Sequence, residues 1–219
     1  MNEDFRPVVR AWVLRGGDIG GPEIDAVLVD MPERLEAIPG YLGLIVTVDR
    51  TNRLLRAVSF WKSPEARDRS TTFALTTMRD ALKGLDAHIL GPWDFEVAYN
   101  RFRTFAQRLE LLSGRQVVVR LVQMAGGQVA EEPFVSLLRD HIERAVIPTP
   151  GCEGVLVLVD PDAPALVGGF FWVDAETADR TERVGNESLT AFTRATSSWS
   201  STVERHEVLL NKPITDVIR

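Results

Sequence analysis

One segment of the chain returns about half a chain length later, and this echo constrains the fold more than any other feature. Residues 39–50 read PGYLGLIVTVDR and residues 150–161 read PGCEGVLVLVDP, with six of the twelve positions identical at an offset of 111. The same offset places Phe60-Trp61 on Phe171-Trp172. Internal repeats indicate repeated structural units. We therefore expect two copies of one unit, over residues 1–100 and 116–219, with residues 101–115 as a connector.

Both copies predict the same order of secondary structure. In the first, the strands RPVVRAWVL, YLGLIVTVD, LLRAVSFW and WDFEVAYN are combined with the helices GPEIDAVLVDMPERLEAIPG and SPEARDRSTTFALTTMRDALKGL. Ser63 as N-cap and Pro64 at the first helical position mark the second helix, and Pro32 should kink or shorten the first. The second copy repeats this order from RQVVVRLVQM to TVERHEVLL. The order β-α-β-β-α-β predicts an α+β fold of two ferredoxin-like units, each an antiparallel sheet with both helices on one face.

The composition disfavours several classes of function. A net charge of -6 without a basic block argues against a nucleic-acid partner, because lysine and arginine are needed to neutralise phosphates. The aliphatic runs are far shorter than the roughly 18 residues that suggest a membrane span. Cys152 is the single cysteine, so no internal disulfide can form, and the three histidines show no metal-binding spacing. We expect a cytoplasmic protein without a membrane partner, a metal or another cofactor.

The repeated segments also carry a family resemblance. Both copies have a Pro-Gly helix end, a glycine-containing strand, and a strand that ends in Trp before a helix, as in IPGYLGLIVTVD with AVSFWKSPEARDRS and TPGCEGVLVLVD with GGFFWVDAETADRT. This pattern resembles the antibiotic biosynthesis monooxygenase domain family of the dimeric α/β barrel superfamily. Members of that family usually carry one copy per chain and dimerise. The resemblance thus implies a tandem duplication that forms a pseudo-dimeric α/β barrel within one chain, with a further homodimer possible.

The family is known for cofactor-free oxygenation of polyphenolic or quinone-like substrates and for haem degradation. By resemblance, Trp61 and Trp172 correspond to the Trp that lines the ligand cavity in haem-degrading relatives. The alternative is that each Trp packs in the core under the following helix. Those relatives also need a His about ten residues after this Trp, where the present chain has Thr71 and Glu182. Haem binding or degradation is therefore only a third hypothesis.

The two copies differ in their closing strands, where the first copy has Trp93 and Phe95 and the second has Glu204 and His206. Alternation along a strand puts Glu204 and His206 on one face. A carboxylate beside an imidazole raises its basicity, so that His206 could remove a phenolic proton. The alternative is a surface pair on an exposed strand. We take His206 and Glu204 as candidate catalytic residues and the following as candidate substrate contacts: Trp61, Trp172, Trp93 and Phe95.

Two arginines, Arg10 and Arg120, lie in the opening strands of the two copies. A buried guanidinium needs a partner, and we expect Glu96 or Glu207 of the closing strands to supply it. The leading functional hypothesis is oxygenation of a small aromatic substrate. The alternative is a non-catalytic protein, ligand-binding or stress-related, that has the same scaffold, because one scaffold hosts unrelated functions.

Overall fold

A computed structural model describes residues 7–17, 19, 28, 31, 33–83, 86–102, 117–126, 131–182 and 199–212. The chain divides into two compact units. The first consists of Met1–Phe95 with Val208–Arg219, and the second of Glu96–Glu207. The predicted connector lies almost wholly outside the described residues.

The first unit contains four strands in the predicted order. They are β1 (Val8–Gly16), β2 (Tyr41–Asp49), β3 (Leu54–Trp61) and the first part of β4 (Ala87–Phe102). Helix α1 (Pro64–Ala81) follows β3. Residues 33–36 are helical and precede β2, whereas the predicted kink at Pro32 lies outside the described residues. The strand order is β4-β1-β3-β2, followed by the last part of β8 (Trp199–Lys212).

The second unit repeats this order of elements. It contains β5 (Val118–Ala125), α2 (Glu132–His141), β6 (Cys152–Val159), β7 (Ala165–Trp172), a helix α3 that includes residues 175–182, and the first part of β8. A π-helical turn, Ile142–Val146, extends α2. The strand order is β8-β5-β7-β6, followed by the last part of β4. The α+β, ferredoxin-like prediction is confirmed.

The repeated PG turn has the same geometry in both units. Gly40 and Gly151 adopt positive φ angles of 92° and 83°, which glycine alone adopts without strain. Each turn leads into a strand with the same irregularity, because the pairing register shifts between Tyr41 and Gly43 in β2 and between Cys152 and Gly154 in β6. The echo in the sequence therefore encodes a turn and a bulged strand.

Each unit covers one face of its sheet with helices. In the first, Trp12, Leu44 and Trp61 of the sheet form a core with Met78 of α1. Ser63 caps α1 as predicted, since its Oγ accepts a hydrogen bond from the backbone N–H of Ala66 at 3.3 Å. In the second unit the core joins the sheet to α2 and α3, through residues that include Val118, Trp172, Phe134 and Ala178. No helix in the described ranges is long and apolar enough to cross a membrane.

Gly40→Ala should lower the free energy of unfolding by about 2–4 kcal/mol, because a left-handed backbone and a steric clash combine. A Cβ at Gly40 would lie 2.6 Å from the Cβ of Ala66. Gly168→Ala is the matched control, since its backbone is ordinary and its Cβ would meet only the tip of the Phe170 ring, at 3.1 Å. Urea unfolding measures both, and equal losses would contradict the role assigned to the turn.

Candidate functional site

The guanidinium of Arg10 lies at the centre of a cluster of polar side chains in the first unit and is only 6% exposed. Its Nε and Nη2 donate to the two carboxylate oxygens of Asp94 in β4 at 2.7 and 2.8 Å. Nη2 also donates to Asp68 of α1 at 3.0 Å, and Nη1 donates to the hydroxyl of Thr71. Burial by itself would lower the pKa of Arg10, but the hydrogen bond and charge of Asp94 raise it above its ordinary value. Arg10 thus joins β1, β4 and α1.

This arrangement corrects one expectation from the sequence. The closing strand does supply the partner of Arg10, but the carboxylate is that of Asp94, not Glu96. Residues two apart on a strand share a face, so periodicity alone could not choose between the two. The sequence analysis did not identify Asp68 and Thr71 as partners of Arg10. Their spacing was a usable signal, because residues three apart lie on one face of a helix.

Trp61 is fully buried beside this cluster. Its Nε1 donates to the hydroxyl of Ser59 at 2.9 Å, and that hydroxyl donates to the carbonyl oxygen of Arg10 at 3.2 Å. The indole also meets the ring of Tyr41 edge to face, with ring centroids 5.5 Å apart. The side chain of Trp61 is therefore held in one orientation from two sides.

A small cavity lies on the helix-covered face of the first unit, with Trp61 in its wall. Its volume is about 30 Å³, enough for one or two water-sized molecules. The wall is mainly aromatic and aliphatic, with hydroxyls at a few points; it is formed by Trp12, Met31, Leu35, Leu44, Ala57, Ser59, Trp61, Ser70, Phe73, Ala74, Thr77 and Met78. Two of the hydroxyls already have partners, because Ser70 donates to the carbonyl of Arg67 at 2.6 Å and Ser59 to that of Arg10.

Trp172 occupies the corresponding place in the second unit. It is 5% exposed and packs in the core under α2 and α3. On the same sheet face Arg120 is 8% exposed, with the carboxylate of Glu182 at 3.9 Å. Burial lowers the pKa of Arg120, and the charge of Glu182 offsets this only in part. Both units thus place a tryptophan and an arginine under the helices.

His206 lies on the other face of the second unit's sheet. It is 1% exposed and stands opposite Val119 of β5. The neighbouring Val118 belongs to the core under the helices, so alternation turns Val119 and His206 away from them. Glu204 follows two residues earlier in β8, opposite Leu121, but its side chain lies outside the described part of the structure. The imidazole of His206 and the indole of Trp172 therefore lie on opposite faces of the sheet.

Trp93 and Phe95 also point away from the helices of their unit. Asp94, between them, reaches Arg10 on the helix-covered side, so alternation puts its two neighbours on the opposite face. Trp93 is 42% exposed, and Phe95 is half-buried. Neither contributes to the wall of the cavity beside Trp61. Trp61 is therefore the one of the four predicted substrate contacts that lines this cavity.

The residues present do not fit the haem site implied by the resemblance. The two positions that would need a histidine are occupied by partners of the buried arginines, because Thr71 binds Arg10 and Glu182 lies beside Arg120. Within the described residues no group of three or more His, Cys, Asp or Glu side chains could hold a metal ion. The available cavity is also far too small for a porphyrin.

Asp94→Asn should lower the free energy of unfolding by about 2 kcal/mol, because it leaves the buried Arg10 guanidinium without a charged bidentate partner. Asp140→Asn is the control, since Asp140 pairs with Arg144 on the surface and such pairs contribute about 0–1 kcal/mol. Urea denaturation of both variants distinguishes a structural cluster from a surface one; equal, small effects would contradict the assignment.

Comparisons place this geometry among known folds. No family model and no curated protein matches the sequence. Solved structures match over nearly their whole length. A candidate monooxygenase from Lactobacillus acidophilus NCFM is 11% identical, with a TM-score of 0.66 over 95% of this chain and 97% of that one. A candidate monooxygenase from Fusobacterium nucleatum subsp. nucleatum is 12% identical, with a TM-score of 0.64 over 96% and 95%.

An anthrone oxidase-like protein is 13% identical to this chain, with a TM-score of 0.59 over 98% of this chain and 95% of the other. Identities this low carry information on the fold and not on the reaction. The order of elements, the helices on one face of each sheet and these matches agree with the resemblance noted in the sequence. The chain shares its α+β fold with these solved structures.

Proposed function

We propose that the protein is an antibiotic biosynthesis monooxygenase-like oxygenase that binds a small aromatic or quinone-like compound beside Trp61. One observation carries the proposal: the helix-covered face of the first unit has a cavity with Trp12, Trp61 and Phe73 in its wall. Aromatic walls with a few fixed polar groups are typical of small-ligand sites. The fold shared with candidate monooxygenases and with an anthrone oxidase-like protein is compatible with the same class of reaction.

The size of the cavity restricts the substrate. At about 30 Å³ it does not accommodate an aromatic ring without movement of its wall. Met31 and Met78 are in that wall, and methionine is flexible enough to repack around a ligand. The serine hydroxyls beside Trp61 are engaged within the protein. The site therefore favours a flat, mostly apolar substrate over a charged one.

The reaction requires no cofactor electrons, because the substrate supplies them. Removal of a phenolic proton makes the ring electron-rich enough to reduce dioxygen. One oxygen atom then enters the ring as a quinone carbonyl, and the other leaves as water. A base must accept the first proton. His206, with Glu204 on the same strand, is our proposal for a base that acts on the other face of the second unit's sheet; it does not line the cavity beside Trp61.

The small volume of the cavity beside Trp61 supports a second candidate function. A cavity nearly filled by side chains is what a ligand-binding or stress-related protein that has lost the chemistry would show. The two functions differ in one observable, because a binding protein takes up the phenol without consuming dioxygen. Dioxygen uptake measured alongside equilibrium binding therefore separates them.

Trp61→Phe should weaken binding of a phenol or naphthol panel by about tenfold, because the indole that fills and orients the wall is lost. Trp93→Phe, on the exposed face, should bind normally. Tryptophan fluorescence or calorimetry gives the affinities, an oxygen electrode with a metal chelator present gives turnover, and thermal unfolding confirms that both variants fold. Loss of binding in Trp93→Phe, with Trp61→Phe unaffected, would move the site to the opposite face.

His206→Gln should reduce kcat by about 100-fold or more, the effect of removing a general base, where the substrate reacts on the other face of the second unit's sheet. A substrate that is oxidised beside Trp61 should react at the wild-type rate, because His206 does not line that cavity. His88→Gln is the control, because His88 is also a histidine and lies exposed at the start of β4. Equal rates in all three proteins would exclude His206 as the base.

A further inference from the structure

The cavity of the first unit has in its wall a reactive group that the proposed function does not use, the thioether of Met78. Met78 belongs to α1, is only 4% exposed and lines the cavity together with Trp61. Peroxides oxidise a thioether to a sulfoxide, and the product is polar where the methionine was apolar. Burial protects a methionine only if it keeps the oxidant from the sulfur. The protection of Met78 therefore depends on what the cavity admits.

The size of the cavity selects the oxidant. Its volume of about 30 Å³ is enough for one or two water-sized molecules. Hydrogen peroxide is little larger than water, whereas an alkyl hydroperoxide also carries a bulky apolar group. The cavity therefore has room for hydrogen peroxide and excludes the larger peroxides.

The cavity also lies close to the protein surface on the side of α1. Phe73, Ala74 and Thr77 of α1 and the preceding Met31 are in its wall, and all four are only half-buried. Small movements of such side chains open a path for a small molecule without unfolding of the unit. A water-sized oxidant can thus reach the sulfur of Met78 in the folded protein.

A second buried methionine provides the internal comparison. Met124 of β5 is 2% exposed and packs in the core of the second unit, so its burial matches that of Met78. Met124 does not contribute to the wall of the cavity. Burial alone therefore predicts equal protection of the two sulfurs, whereas access through the cavity predicts that Met78 reacts faster.

We propose that Met78 is a site of oxidation by hydrogen peroxide, which reaches its sulfur through the cavity. The sulfur gives two electrons to the peroxide and the O–O bond breaks. One oxygen atom forms the S=O bond of the sulfoxide, and the other leaves as water. The sulfoxide puts a polar oxygen into a mainly apolar wall, so that oxidation lowers the affinity of the cavity for an apolar ligand. This last consequence rests on the proposed function, but the oxidation itself does not.

Peptide mass spectrometry of the folded protein after treatment with hydrogen peroxide provides the test. Met78 should be converted to the sulfoxide about tenfold faster than Met124, because only Met78 lines the cavity. The bulkier tert-butyl hydroperoxide should oxidise both residues equally slowly, and hydrogen peroxide should oxidise both at one rate in concentrated urea. Equal rates of Met78 and Met124 with hydrogen peroxide in the folded protein would overturn the proposal.

Ala57→Val tests the route of the oxidant without altering either methionine. Ala57 of β3 is 7% exposed and lies in the cavity wall, and valine is well suited to a strand. The added methyl groups fill part of the cavity, so Met78 should be oxidised as slowly as Met124. Thermal unfolding confirms that the variant folds. Oxidation of Met78 at the wild-type rate in this variant would contradict entry through the cavity.

Met78→Leu tests the consequence for ligand binding. The variant and its reference both carry Met31→Leu, which removes the other thioether of the wall. Peroxide treatment should weaken 1-naphthol binding about tenfold in the reference and leave it unchanged in the Met78→Leu protein, as measured by calorimetry. Equal weakening in both would contradict the effect assigned to Met78. Absence of binding before treatment would contradict the proposed function alone, because mass spectrometry detects the sulfoxide without a ligand.

Discussion

The guanidinium of Arg10, which belongs to β1, is bound from two other elements at once, β4 and α1, and the first unit is arranged around it. Its two short bonds to Asp94 fix β4 beside β1, and its bonds to Asp68 and Thr71 fix α1 over the sheet. A buried cation that loses such partners is strongly destabilising, so these elements cannot shift independently. The position of α1 in turn sets where Phe73 and Met78 meet Trp61. The backbone carbonyl of Arg10 completes the link by accepting from Ser59, the residue that holds the Trp61 indole.

The two units use one backbone plan with different polar side chains. The glycine turns, the bulges after them and the strand registers correspond. The partners of the buried groups do not, since Ser59 is replaced by Phe170 and Asp94 by Arg205. Backbone geometry thus determines where an arginine and a tryptophan come under the helices. The side chains around those groups determine which partners they bind.

Much of the fold could be predicted from the sequence, because strong local signals agree with it. The hairpin between β2 and β3, the Ser63 cap and the order of the strands in the described part of the chain follow from periodicity and turn residues. The π-helical turn after α2 could not be predicted, since it has no signal in side-chain spacing. The division of β4 and β8 between the two units also escaped prediction, because strand length alone does not show which neighbour each part joins.

The candidate site was harder to predict for a physical reason. The alternation of side chains along a strand predicts that Glu204 and His206 share a face of the sheet. It does not predict that the helices cover the opposite face. The sequence also predicts that a carboxylate of the closing strand binds Arg10. Alternation could not show whether that carboxylate belongs to Asp94 or to Glu96. The indole N–H of Trp172 has no acceptor at Phe170, the position that corresponds to Ser59 in the first unit. This difference becomes visible only when the two units are compared.

We propose that small aromatic ligands bind on the helix-covered face of the first unit's sheet. A crystal structure of the protein grown with 1-naphthol tests it most directly. We expect density for the ring beside Trp61, with Met31 and Met78 displaced and the hydrogen bonds of Arg10 unchanged. Density beside Trp93 and Phe95, with the cavity at Trp61 still closed, would contradict it.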